Sequence, residues 1–580
     1  MQSTRAHSPI RVRRSLIASA IVVALTVAAC SDDGDDAVAP DTSATVASGV
    51  TAAPGDTDAS GVASDTTATL ADDGGASAGG GSFSVSISEP AALDPALASE
   101  LEGAQVIRLL FTTLTSLDPD LELGPGVATE WSVADDGVTW TFELDPAATF
   151  SDGSSVDAGD FVYAIARSAD PDLAAPAAYQ GYPISGWADV LDAEASGAIG
   201  DVEVAGVTAI DDDTLQIVTD APFSLLPMLL TYPVFAPVPS EMADDPAAAE
   251  AFAEQPIGNG PYQMSEPWQH NESITLERNQ AYAGTPGKAG QIEFRIYSDF
   301  LTAYRDWQAG AIDIARTVPP EEFKAGVEQY GDQVVLTPTA ALGYIGMPVA
   351  LAPFDNLDFR QALSLSIDRE ALTDRVLQGS VDPAYSYVPT QVPGATQEPC
   401  AACVFDLDLA KEHFDKSGVA PGTKIVLYDI ADDGQAGIEF LTNTWTDAFG
   451  LDIEVRSYEF AQFLEETTAD KLEGPFELGW VWDYPSGYSM IQPLFQSESG
   501  ANPLSYASDE FDALMTQVET ATDPDEVAAL LNQAEQIVLA DLPMIPLTFG
   551  RDSSVVSERI KGLRVDAGAL YRLELVEVVG

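Results

Sequence analysis

One stretch of the chain joins a charge to an unusual amount of flat apolar surface: Gly479-Trp480-Val481-Trp482-Asp483-Tyr484-Pro485. That combination suits a ligand pocket. Asp483 would take a cationic group, and the faces of Trp480, Trp482 and Tyr484 would hold the body of the ligand. Composition alone favours an aromatic core strand ending in a turn that Asp483 caps, because aromatics most often simply pack. Signatures of nucleophilic or metal-assisted hydrolysis are missing: there is no Gly-x-Ser-x-Gly and no His-Glu-x-x-His. Beyond the leader only His270 and His413 remain, both among polar neighbours, which is thin support for a Ser-His triad. A carboxylate-pair glycosidase is left open by composition, since acids abound.

The segments that must position this stretch belong to a chain of 580 residues, too long for one hydrophobic core, so two or more lobes are expected. The net charge of -67, from 92 acidic and 25 basic residues, excludes nucleic acid as a partner, because phosphate binding needs clustered Lys and Arg. Cys400 and Cys403 are too few for a closed zinc site. No metal and no cofactor is expected. Outside the cytoplasm, a disulfide across Cys400-Ala401-Ala402-Cys403 is the natural use of two thiols.

The N-terminus points outside the cytoplasm. Arg5, Arg11, Arg13 and Arg14 precede an apolar run from Leu16 to Ala28 that is short for a membrane span. The run ends in Val27-Ala28-Ala29-Cys30, which resembles the lipobox of bacterial lipoproteins. Residues 1–29 would then be a signal peptide, and Cys30 the lipid-bearing first residue of the mature protein, tied to the membrane. Arg13-Arg14 also resembles a twin-arginine signal, so the export route stays open. Residues 30–82 are acidic and rich in Ser, Thr, Gly and Ala; they cannot bury enough apolar surface to offset chain entropy, and are read as a disordered tether.

Past residue 82 strands and helices alternate irregularly, as in α/β lobes of mixed sheet. Phe83, Val85 and Ile87 alternate as a strand, and so do residues 138–144 after the turn Asp136-Gly137. Helices are expected over 100–114, 160–168, 358–377 and 408–417, and from Asp523-Pro524 to about Asp541, where Asp caps and Pro fits the first turn. Arg360 and Arg369 on the third of these are expected to form ion pairs. Gly258-Asn259-Gly260-Pro261-Tyr262 reads as a structural turn.

Several of these segments fall in the order of one known family. They are Leu93-Asp94-Pro95, Trp140 to Leu144 followed by Phe150-Ser151-Asp152-Gly153 and Asp160 to Tyr163, the Gly258 turn, Asp358 to Arg369, Gly479 to Pro485, and Leu531 to Pro546. Over residues 83–580 the chain resembles the extracellular solute-binding proteins of ABC importers, family 5, closest in likeness to the oligopeptide-binding members. The resemblance implies no enzyme activity. It implies a two-lobed periplasmic-binding-protein-like fold (class II, mixed sheets) with an extra domain inserted in lobe I. Carried over, lobe I is 83–111, 209–340 and 548–580, the inserted domain is 112–208, and lobe II is 341–547.

The resemblance further implies a monomeric receptor that captures a peptide and delivers it to an ABC permease and ATPase complex. Asp483 would pair with the peptide's α-ammonium, Trp480 and Phe460 would wall the pocket, and the backbone at Glu100 and Leu101 would meet the peptide. The oligopeptide-binding members carry an arginine two residues before the motif's glycine, where this chain has Glu477. The resemblance therefore supplies no cation for a peptide carboxylate, and leaves a sugar, a metal chelate or a sensed signal peptide as alternative ligands.

Overall fold

The computed structural model describes residues 80–579, apart from 99, 196–198, 200, 201, 245, 397, 431–434, 459–462, 464, 465, 467–471, 498, 500, 501 and 503. The leader, Cys30, nearly all of the tether and Phe460 lie outside the described residues.

Two strands of 13 residues each, Val334–Gly346 and Met544–Val556, run antiparallel through the middle of an eleven-stranded mixed sheet. Beyond the first lie Phe476–Val481, Lys424–Ile430 and Asp452–Tyr458; beyond the second lie Ile314–Ala315, Ser82–Ile87, Gln291–Ile296, Ser273–Arg278 and Tyr262–Met264, and the eleventh strand, Asp382–Pro383, pairs with Met544–Val556 off this path. One pair of strands therefore serves both halves. The pairing slips where Pro338 faces Arg551 but Leu342 faces Phe549, so Thr339 to Ala341 bulge opposite Gly550. Proline cannot donate to the ladder there. A Cβ on Gly550 would come within 2.4 Å of Thr339 Oγ1 and 2.8 Å of Ala341 Cβ, so the bulge depends on a bare backbone at 550. Ala340 turns out of the ladder, its N–H donating to Ala567 O at 2.6 Å.

A separate four-stranded antiparallel sheet is formed by Ala128–Val133, Thr139–Leu144, Thr214–Val218 and Val207–Asp211. Trp140, Phe142 and Leu144 alternate into its core, as a period of two requires. Helix Ala158–Ala169 packs on it, begun by a capping box between Asp157 and Asp160. The same helix carries Arg167, whose guanidinium forms a two-pronged, buried ion pair with Asp94 in the turn after the first strand. The Gly258 turn clasps the end of helix Leu101–Leu110. Asn259 bonds the Thr112 backbone at both N–H and C=O, each at 2.9 Å, and a Cβ on Gly258 would strike Leu110 O at 2.0 Å.

The expected helix over 358–377 is broken. Leu357–Leu365 ends at Ser366, and Asp368 caps a new turn at Arg369–Ala371 that widens into a π-helix over Leu372–Val376. The arginines of this region also differ from expectation. Arg360 and Arg369 form no ion pair among the described residues; they donate to backbone carbonyls, Arg360 to those of Leu542 and Phe354, Arg369 to those of Pro546 and Cys403. A planar fork of donors lets one buried side chain tie several chain segments together without a carboxylate. His413 is half-buried against Asp358, whereas exposed His270 bridges Glu89 and Glu254. Cys400 and Cys403 are joined by a disulfide.

Glu535, fully buried on helix Pro524–Asp541, accepts three backbone N–H groups: Tyr387 and Val388 at Oε1, Thr396 at Oε2. Glu535→Ala leaves those three donors buried and unpaired. The variant should lose about 3 kcal/mol or more of stability, read as a lower urea midpoint with little change in slope.

Candidate functional site

Asp483 lies two residues beyond the strand Phe476–Val481 and just before helix Gly487–Phe495, which Ser486 caps. Along the strand Phe476, Leu478 and Trp480 are buried while Glu477, Gly479 and Val481 are half-buried. The alternation continues: Trp482 is buried and Asp483 half-buried, on the open face. The motif's aromatics are locked in place. Trp480 Nε1 donates to Ser489 O at 2.9 Å, and Ser489 Oγ donates to Tyr484 O at 2.8 Å. Trp482 packs against the C-terminal segment, where a Cβ on Gly568 would sit 3.1 Å from its Nε1. Trp480, Trp482 and Tyr484 all belong to the hydrophobic cluster that extends to the four-stranded sheet.

What faces Asp483 comes from far along the chain. The Tyr179 hydroxyl donates to Asp483 Oδ1 at 2.9 Å. Gln180, next to it, brings its amide near enough to favour the charged carboxylate, yet its Nε2 is buried without a hydrogen-bond partner. No Lys, Arg or His pairs with Asp483 among the described residues. Burial therefore dominates and pushes its pKa up to about 6, against the pull of Tyr179 and Gln180. Three phenols sense the same charge. Tyr179, Tyr232 and Tyr484 all titrate above the ordinary range, through burial first and Asp483 next.

Tyr232 also joins the site to Glu100, whose charge likewise opposes its ionisation. Glu100 itself caps helix Leu101–Leu110, its Oε1 accepting from Gly103 N at 2.9 Å and Ala91 N at 2.8 Å, while Oε2 is buried without a partner. Leu101 is half-buried at the helix start. A second acid, Glu519, accepts from the Tyr488 hydroxyl at 2.7 Å, and burial raises its pKa. The arrangement is thus a partly solvated carboxylate in a wall of tyrosines, with acids and no paired cation among the described residues: a place for an ammonium group. A cavity of about 480 Å³ lies by the same bulge, lined by Pro338, Pro383, Tyr385, Gln391 and Phe549. Gln391 Nε2 anchors that wall on Thr339 O at 2.8 Å.

The sequence picked out Asp483 and its aromatic neighbours but not Tyr179, Gln180, Tyr232 or Glu519. Tyr179 and Gln180 occupy a four-residue 3-10 turn, Ala178–Gly181, with no side-chain cap and no periodicity to mark it.

The family model of the bacterial extracellular solute-binding proteins, family 5 (middle region), matches residues 122–502. The chain belongs to this family. Its members are binding proteins, not enzymes. The periplasmic oligopeptide-binding protein OppA of Escherichia coli is 30% identical over 495 residues, spanning 82% of this chain and 88% of OppA. The dipeptide-binding protein DppE of Bacillus subtilis is 28% identical over 493 residues, again 82% of this chain and 88% of the relative. The solved murein tripeptide binding protein MppA of Escherichia coli superposes with a TM-score of 0.71 at 26% identity, covering 87% of this chain and 99% of MppA. An unliganded open form of MppA reaches 0.74, with the same identity. The fold is accordingly the mixed α/β periplasmic-binding-protein fold of OppA, with several sheets.

An uncompensated carboxylate costs the empty solute-binding protein stability. Its folded pKa of about 6 stands above the ordinary 3.8, so between these values the folded state holds more protons, and stability falls as pH rises. Asp483→Asn should therefore stabilise the ligand-free protein at pH 8 by about 1–3 kcal/mol, the lower end allowing for solvent at the half-buried carboxylate. Thermal melts at pH 8 and pH 4 check this, because the gain should vanish at the acid end.

Proposed function

We propose that this protein is a lipid-anchored receptor that captures peptides outside the membrane and delivers them to an ABC permease and ATPase complex. The observation that carries this reading is Asp483. It is half-buried, hydrogen-bonded by Tyr179 at one oxygen, and without a cationic partner among the described residues. A peptide's α-ammonium supplies the missing charge, and a buried charge pair with good geometry is far better than the lone carboxylate it replaces. The names of the relatives support the peptide: oligopeptide-binding OppA, dipeptide-binding DppE, and MppA, which binds murein tripeptide. Trp480, Trp482 and Tyr484 back the pocket, and the segment at Glu100 and Leu101 meets the peptide backbone.

The proposed division is lobe I (83–111, 209–340, 548–580), inserted domain (112–208) and lobe II (341–547), although the separate four-stranded sheet continues past residue 208 through Val207–Asp211 and Thr214–Val218. In this reading the lobes close on the ligand about the shared strands, a recurrent switching mode. The anchor is Cys30, on the pattern Val27-Ala28-Ala29-Cys30. Cys30→Ser should release the protein from the membrane fraction into the soluble one, read by fractionation and immunoblot.

The functional test is a tripeptide mixture added to the purified protein, with tryptophan fluorescence reporting binding and native mass spectrometry identifying what stays bound. Free-amine peptides should bind, while N-acetylation or Asp483→Ala should weaken binding by a hundredfold or more, since losing one partner of a buried pair costs about 3–5 kcal/mol. Affinity should also fall as pH drops below about 6, because the free carboxylate takes up a proton that the ammonium must displace. Indifference to acetylation would sink the reading and turn attention to sugars and metal chelates.

A further inference from the structure

Beside the Asp483 carboxylate one buried donor has nothing to bond. Gln180 is 6% exposed, and its Nε2 has no partner. Buried amides are normally satisfied, so an orphan at a binding site points to a group that arrives with the ligand.

The side chain is not free to look elsewhere. Its backbone is held in the 3-10 turn Ala178–Gly181, with Gln180 N donating to Ala177 O at 3.1 Å and Ile184 N to Gly181 O at 2.8 Å. The turn rests on the ring of fully buried Trp187, which lies so close that a Cβ on Gly181 would fall 2.0 Å from its Cε2. Adjacent Tyr179 fixes the distance to the anchor through its 2.9 Å bond to Asp483 Oδ1. The other group close to the carboxylate is the Gln180 amide itself, which with Tyr179 favours its charged form. The pocket thus offers, side by side, a half-buried carboxylate and a buried amide N–H that bonds no acceptor.

We infer that Gln180 is a specificity-determining residue that donates to the carbonyl oxygen of the ligand's first residue while Asp483 Oδ2 accepts from that residue's ammonium. The inference rests on the peptide reading above and narrows it. In an α-aminoacyl end the ammonium nitrogen and the carbonyl oxygen lie within about 3 Å of each other, by backbone bond lengths and angles. One acceptor and one donor in adjacent positions match that unit. A simple alkylamine offers no carbonyl, and a β-aminoacyl end sets it one methylene further away. The pair therefore selects α-aminoacyl termini over other amines, with no demand on the side chain.

The test is calorimetric titration of the full-length chain with tri-alanine, with tri-alanine thionated at its first peptide carbonyl, and with N-acetyl-tri-alanine. Sulfur accepts hydrogen bonds more weakly than oxygen. Wild type should bind tri-alanine and lose about tenfold on thionation, the scale of one neutral hydrogen bond. Gln180→Met, which keeps volume and removes the donor, should weaken tri-alanine by about the same factor and then be indifferent to thionation, as expected of a pair acting through one bond. Gln180→Leu repeats the cycle should the methionine side chain disturb folding, as a thermal melt would show. An undiminished thionation penalty in both variants, or wild-type affinity for tri-alanine in both, overturns the role of Gln180. Failure of wild type to bind tri-alanine, or equal binding after N-acetylation, overturns the peptide reading itself, and the inference with it.

Discussion

The strands Val334–Gly346 and Met544–Val556 constrain everything else in the molecule, because both halves of the large sheet are built on them. Whatever one half does is transmitted through a ladder that has a register shift between Gly343 and Tyr344 and a larger irregularity, the bulge at Thr339 to Ala341 opposite Gly550. That irregularity is shared with the site. Ala340 reaches the C-terminal segment, Trp482 N donates back to Ala340 O at 3.4 Å, and Gln391 holds Thr339. A place where the ladder between the shared strands is interrupted is thus the place where the pocket is attached.

The second dependence is electrostatic. An acidic chain could have paired Asp483 internally with one of its few arginines. Instead the buried arginines are spent on carbonyls, as at Arg360 and Arg369, or on distant acids, as Arg167 on Asp94. The carboxylate at the pocket is left with phenols, which soften its burial without neutralising it. A site that is poor in its own right and satisfied by its ligand is what reversible capture requires.

How much of this could be read from the sequence follows the range of the interactions. Local signals were legible. Asp523 caps a helix, the Gly258 turn is structural, and Trp140 and Phe142 alternate into a core. The motif around Asp483 was legible because its chemistry is contiguous. The break at Ser366 to Asp368 was not, because apolar spacing continues through it while Arg369 is drawn to carbonyls of remote segments. Tyr179, Gln180 and Tyr232 were not, because they meet Asp483 across some 300 and 250 residues of chain, and nothing local to a short turn records that meeting.

Glu535 has a consequence of a different kind. It grips residues 387, 388 and 396 only by their main-chain N–H groups, so any residue but proline satisfies it there. The stretch between includes Thr390 and Gln391, and with Thr396 it lines the cavity by the bulge. The frame of that wall is written in backbone and its surface in side chains. Mutation can therefore redraw what the wall presents without loosening what holds it, which gives this face of the molecule room to change its taste over evolutionary time while the architecture stands still.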